Sequence, residues 1–215
     1  MDILWSMRSI RQDSEKHPLD YKVFPVALDV LLKAQAMGLI NKPIDVFAMD
    51  WQTLQSRLKE IASAGIARSV LHDLGRWHLA STEVLNRKLR VIEELLEESA
   101  YPDKEWQAVR RFISDDLLAR LLGGISEVSL RRYASGERVT PLDIATRLHF
   151  LALVIGDLSG SYDDLGVTQW FERPRRKAFN GKTPVDLLKG EWHPDEAGPT
   201  TVRDFARTLN HFVAT

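Results

Sequence analysis

The chain has 215 residues, 44% of them hydrophobic, a formal charge of −1 and no cysteine. That length fills one generous domain or two small ones. The missing cysteine excludes disulfides, thiol catalysis, iron–sulfur clusters and cysteine-ligated zinc. The near-balanced charge means that any nucleic-acid role must rest on local basic patches.

No apolar run is long enough to cross a bilayer, and "MDILWSMRSIRQDSEKH" meets charged residues before a signal-peptide core could form. A soluble, cytoplasmic protein without membrane contact is expected.

Helical periodicity dominates. Val23–Met37 has apolar residues at helical spacing, Pro25 near its start and Gly38 just past its end. Asp50 is placed to cap a helix whose Trp51, Leu54, Leu58 and Ile61 share one face. Further helices are expected over Ile66–Leu79 and Ser81–Ser99, the latter with Glu93, Glu94, Glu97 and Glu98 as a solvated face. "YPDKEW" at 101–106 reads as a break, with Asp103 capping the helix that follows. Residues 1–100 are therefore expected to fold as a separate helical unit of unassigned role, open to proteolysis near Tyr101–Lys104. The expected fold class is all-α.

Ser114 then begins "SDDLLARLLGG", with Asp115 and Asp116 at the positive end of a helix and Leu117, Leu118, Leu121 and Leu122 on its buried face. Gly123–Gly124 can turn the chain, and Ser126 caps a second helix, "EVSLRRYA". On it Leu130 and Tyr133 point inward, leaving Glu127, Val128, Arg131 and Arg132 outward. A capping box of Thr140, Pro141 and Asp143 is expected to open a long helix with Leu142, Ala145, Leu148, Leu151 and Leu153/Val154 on its stripe.

The order Leu-Leu-Gly, N-cap Ser, Leu-x-x-Tyr, Ser-Gly-Glu-Arg and a further amphipathic helix resembles the Xre-type helix-turn-helix over Phe112–Leu158. That resemblance implies a DNA-binding domain at 101–160. Arg131 and Arg132 would meet guanine edges or phosphates, Ser126 and Ser129 phosphates, and Val128 and Arg138 the same face. Glu127 departs from this pattern, because its charge repels phosphates.

In the C-terminal third, Trp170, Pro174, Phe179, Gly181, Thr183, Pro184, Leu187 and Leu188 follow the order W-x₃-P-x₄-F-x-G-x-T-P-x-x-L-L. By itself this reads as a small packed unit with Thr183 capping a short helix. Placed directly after an Xre-like unit, it resembles the toxin-binding domain of Xre/MbcA/ParS-type antitoxins, here 161–215. Their partners are RES-domain toxins, which destroy NAD.

The resemblance implies an antitoxin with two partners, a RES-domain toxin and the promoter DNA of its own operon, working as a homodimer or a larger complex with the toxin. Arg203, Arg207 and His211, on a final helix over Val202–Phe212, would enter the toxin's polar pocket. The segment after Val202 is expected to add little to the chain's own core. "NG" at 180–181, the long link "GEWHPDEAGPTT", the absence of a glycine-ended tail and the extra N-terminal region depart from the family.

No P-loop, dinucleotide fingerprint or serine elbow is present, and the six histidines have no metal-ligand spacing, so no enzyme, cofactor or metal is expected. His149 reads as a core residue. The cluster "EWHPDE" at 191–196 reads as a solvated loop. The competing readings are a stand-alone transcriptional regulator with a sensor or oligomerisation region at its N-terminus, and an interaction module whose helix-turn-helix no longer binds DNA.

Overall fold

In the computed structural model, which describes residues 19–210, the chain is all-α, with no strand among those residues. Short-range capping starts several of the helices. α1 (Phe24–Ala36) has Pro25 in its first turn, and Gly38, at φ 72°, turns the chain out of it. α2 (Trp51–Ser63) starts where the Asp50 carboxylate accepts the Thr53 N–H at 2.7 Å, and it buries Leu54, Leu58 and Ile61. α4 (Thr82–Glu97) is capped by Ser81 and buries Leu85, Leu89, Ile92 and Leu96.

Between these two, the helix expected over Ile66–Leu79 is broken into α3 (Arg68–Leu71) and a 3₁₀ turn at Leu74–Leu79. Asp73 accounts for the break. Its carboxylate accepts from the Trp77 indole at 2.8 Å and from Lys88 at 2.7 Å, bonds that hold the chain in a tighter turn.

α5 (Pro102–Phe112) begins with Pro102 in its first turn, so Asp103 lies inside the helix and does not cap it. α6 (Asp115–Leu121) and α7 (Glu127–Ala134) follow. The long α8 (Leu142–Ser159) starts after Pro141 without a side-chain cap. Thr140 is drawn away from the expected capping box because its hydroxyl accepts from the Trp106 indole at 2.9 Å. Leu142, in the first turn, stands 84% exposed and does not join the stripe, whereas Ala145, Leu148, Leu151, Leu153 and Val154 are buried. The chain closes with α9 (Asp164–Glu172), α10 (Arg176–Phe179), α11 (Pro184–Leu187) and α12 (Ala197–Asn210).

α8 is the axis of the molecule. From Arg147 to Leu158 every residue is buried, and α1, α5 and α12 pack around it, with α4 behind α1. α1 approaches so closely that a methyl group on Gly156 would stand 2.7 Å from the Lys33 Cα. One apolar core therefore runs from Val23 to Ala206. Residue 100 is a turn in the chain, not a boundary between two cores. The turn itself is held, since the Tyr101 hydroxyl donates to the Ala64 carbonyl at 2.8 Å. Among the described residues no helix is long and apolar enough to cross a membrane.

Three ionisable side chains on α8 are buried, and each is paired. Asp157 lies against Lys33 of α1 and accepts from Arg203 of α12. Lys33, only 2% exposed, also meets Glu93 and Glu97 of α4. Glu97 accepts from Arg203 at 3.0 Å and from Arg207 at 2.9 Å. The expected solvated face is thus half inside: Glu93 and Glu97 turn into the bundle, and Glu94 and Glu98 stay outside. Burial opposes the charge on Lys33, but Asp157, Asp29 and Glu93 outweigh it and raise its pKa. Burial likewise opposes the charge on Glu97. Arg203, Lys33 and Arg207 prevail, and its pKa falls.

His149 is the second paired group. Its Nδ1 lies 2.6 Å from Glu105 Oε1 and its Nε2 3.0 Å from the Glu97 carbonyl oxygen. With a carboxylate at Nδ1 and a carbonyl at Nε2, this arrangement favours the doubly protonated ring. Burial opposes this charge, but the hydrogen bond and charge of Glu105 and the Glu97 carbonyl outweigh it and raise the pKa. A raised folded pKa stabilises the fold fully below the ordinary histidine value of about 6.5. That contribution is lost as pH climbs through the folded value. The melting temperature should therefore fall as pH rises above about 6.5, and His149→Gln should flatten that slope. A wild-type slope that survives the substitution would assign the effect to another group.

Candidate functional site

The segment from Ser114 to Ala134 folds as a helical hairpin. The Ser114 hydroxyl accepts the Leu117 N–H, and Leu117, Leu118, Leu121 and Leu122 are all buried. Gly123 and Gly124, at φ 98° and 79°, turn the chain where a side chain would be strained. At Gly123 a Cβ would also stand 2.6 Å from Arg147 Nη1. The Ser126 hydroxyl then accepts the Ser129 N–H at 3.1 Å and starts α7. Leu130 is fully buried and Tyr133 nearly so, stacked against Trp106 at 6.2 Å. The two faces of α7 are thus fixed by packing.

On its outer face Glu127, Val128, Arg131 and Arg132 are exposed, with Ser126 beside them and Ser129 half-buried. Arg131 pairs with Glu127 at 2.6 Å and Arg132 with Glu137 at 3.4 Å, while Arg138 lies over the Tyr133 ring at 5.5 Å. Side chains that are 61% and 55% exposed keep most of their hydration. Such surface pairs hold a guanidinium by about 0.3–0.5 kcal/mol, less than the 1–3 kcal/mol or so of a bidentate base contact. Glu127 therefore occupies Arg131 without sequestering it.

The C-terminal segment is a compact unit built on aromatic rings. Trp170 is buried against Phe171, Phe179 and Phe205, and the Arg175 guanidinium lies over the Trp170 and Phe205 rings at 5.8 and 5.7 Å. Residues 175–182 close on themselves: the Arg175 N–H donates to the Lys182 carbonyl, and the N–H groups of Phe179 and Gly181 donate to the Arg175 carbonyl. Asn180 and Gly181 both take left-handed conformations there. Thr183 and Asp186 form the expected capping box, with Pro184 in the first turn of α11.

The motif residues divide by exposure. Trp170, Phe179, Pro184 and Leu188 are buried, Thr183 and Leu187 are half-buried, and Pro174 and Gly181 are exposed. The buried ones act through packing. His211 and Phe212 lie outside the described residues.

α12 differs most from expectation. It begins at Ala197, five residues before Val202, and both Val202 and Ala206 are buried. Arg203 is buried and bound to Asp157 and Glu97, and Arg207 is bound to Glu97. Arg203 is thus committed inside the chain and cannot reach into a partner's pocket while α12 keeps this place, whereas Arg207 is tied to Glu97 with its side chain still 42% exposed. The segment after Val202 is part of the core. The partners that hold these arginines lie far back in the chain, on α4 and α8, and no local pattern around 203–207 points to them.

The two C-terminal segments are also fastened to each other. The Trp192 indole donates to the Leu121 carbonyl at 2.9 Å, and Arg147 donates to the Trp192 carbonyl at 2.8 Å and to the Leu122 carbonyl at 3.1 Å. Trp192 sits in the segment expected as a solvated loop, yet it is buried; a tryptophan inside a polar loop is itself a sign of an anchor. Arg203→Ala should lower unfolding free energy by about 3–5 kcal/mol, because it leaves the buried Asp157 with Lys33 alone. Urea titration measures this, and an unchanged midpoint would show that α12 is dispensable to the fold.

No family model matches this chain, and neither does any curated protein or solved structure.

Proposed function

We propose that this chain is the antitoxin of a RES-domain toxin and represses its own operon by placing α7 in the major groove of promoter DNA. The observation that carries the DNA half is the division of α7 into a buried face, Leu130 and Tyr133, and an outer face with Arg131 and Arg132 exposed and only weakly paired. A recognition helix needs both. The toxin half is supported by the resemblance of the Trp170–Leu188 segment to the antitoxin domain. Its turn and capping box present Pro174, Asn180 and Gly181 at the surface.

With Arg203 buried and Arg207 held by Glu97, those exposed residues are the surface offered to a toxin. Co-expression with a RES-domain toxin encoded beside this chain's gene tests the pairing. Co-purification and restored growth are expected, and a toxin that neither binds nor is silenced would end the antitoxin reading.

A second reading, a regulator that senses a small molecule, is supported by a groove of about 620 Å³ between the segment leading into α1, α2, the 3₁₀ turn and the start of α4, lined by Trp51, Gln55, His78 and Leu85.

The DNA half has its own test. Arg131→Ala with Arg132→Ala should leave the melting temperature unchanged. It should weaken promoter binding by about 1–3 kcal/mol for each arginine that reads a base. Leu130→Ala should instead lower stability by about 2–5 kcal/mol through a cavity and reduce every activity together. Mobility shifts on promoter DNA beside circular dichroism melts separate the two. Full promoter affinity in the double-arginine variant would remove α7 as the reader.

A further inference from the structure

Charge in this chain is segregated. Residues 173–190 hold six basic residues against the single acid Asp186, a net of +5, which leaves −6 for the rest of a chain whose total is −1. Asp186 accepts from the Thr183 N–H at 2.9 Å and from the Thr183 hydroxyl at 2.7 Å, and its charge offsets only part of that of Lys182 and Lys189. Arg173, Arg176, Lys177, Lys182 and Lys189 are all exposed. Among the described residues, none of the five stands within salt-bridge distance of a carboxylate; the nearby Glu172 pairs with Arg120 instead. Five cations facing solvent on one short segment, with a net charge of +5 over residues 173–190, make a local electrostatic footprint.

The footprint is displayed rigidly. Residues 175–182 close through the Arg175 backbone, and the Arg175 side chain is stacked on Trp170 and Phe205. Both ends of the basic segment contact the end of α6. Glu172, just before it, accepts from Arg120 at 2.9 Å. Trp192, just after it, donates to the Leu121 carbonyl at 2.9 Å. The Gly190 carbonyl would lie 3.0 Å from a Cβ on Gly123, the first residue of the turn that leads into α7. The basic segment thus flanks the first helix of the hairpin and the turn, and in a helix-turn-helix that first helix crosses the nucleic-acid backbone.

The geometry points to Arg173, Arg176, Lys177, Lys182 and Lys189 as a second DNA contact, a phosphate-backbone clamp beside α7 that binds duplex DNA without reading sequence. This rests on the DNA half of the proposed function and adds to it a role for the segment that resembles a toxin-binding domain. Lysine and arginine at exposed positions neutralise phosphates and release counterions, so their signature is salt dependence and not base preference.

The test uses the full chain and duplex DNA of random sequence. The variant carries Arg173→Gln, Arg176→Gln, Lys177→Gln and Lys182→Gln, all at exposed positions, with Arg175 kept; its circular dichroism melt should match wild type. Binding measured by fluorescence anisotropy across a salt series should show a log–log slope shallower by about 3–4, close to one for each phosphate that is no longer neutralised. Lys177→Arg with Lys182→Arg, which keeps the charge, should hold the wild-type slope.

The Arg131→Ala, Arg132→Ala variant separates the clamp from the reader. If α7 reads no DNA but the clamp exists, that variant binds random duplex as wild type does, and the four-glutamine variant still loses binding. A wild-type slope in the four-glutamine variant overturns the clamp. So does loss of toxin co-purification with DNA binding intact, an outcome that assigns the patch to an acidic protein surface.

Discussion

Burying α8 on every side is the constraint on which the other helices depend. An eighteen-residue helix enclosed by α1, α5 and α12 would ordinarily be apolar throughout, yet Arg147, His149 and Asp157 sit within it. Each of these must find partners in a place without water, and each finds them on different neighbours. Asp157 requires Lys33 on α1 and Arg203 on α12. His149 requires Glu105 on α5 and the carbonyl at the end of α4. Arg147 requires the Leu122 carbonyl before the hairpin turn and the Trp192 carbonyl in the C-terminal loop. Apolar burial supplies the driving force, and these three groups set the register and orientation in which the surrounding segments can satisfy it.

The same requirement explains why acidic residues crowd the C-terminal end of α4, where the helix dipole disfavours them. Glu93 and Glu97 are held there by Lys33, Arg203 and Arg207, three cations from two other helices, with His149 on the Glu97 carbonyl. Removing any one of them leaves uncompensated charge at a helix end that already carries a negative potential. The N-terminal helices and α12 are therefore bound into one electrostatic unit, although more than a hundred residues separate Glu97 from Arg207.

What could be read from the sequence is what local physics decides. Asp50, Ser114, Ser126 and Thr183 cap as expected, because a cap is a hydrogen bond between residues three apart. The inward faces of α6 and α7 follow from spacing alone. Thr140 fails as a cap because Trp106, far along the chain, takes its hydroxyl, and Ile66–Leu79 fails as one helix because Asp73 has bonds to make with Trp77 and Lys88. Arg203 and Arg207 were legible as cations near the C-terminus but not as partners of Glu97. Pairings across such distances leave no periodic trace. The division at residue 100 was suggested by a real turn, and only the packing of α1 on α8 shows that the core continues past it.

Arg147 gives this architecture a mechanical link between its two candidate surfaces. The guanidinium is buried and spans from the carbonyl just before the α7 turn to the carbonyl of Trp192, with the Trp192 ring 5.7 Å from it and Phe150 against that ring. A partner that displaces residues 190–192 must either break a charge-assisted hydrogen bond in a buried site or carry the α6–α7 turn along with it. Breaking it strands a buried cation, the costlier course, so displacement of the C-terminal loop is transmitted to α7. A ligand at the C-terminal segment that moves residues 190–192 would therefore be coupled to whatever α7 binds, and by linkage that coupling would act equally in both directions.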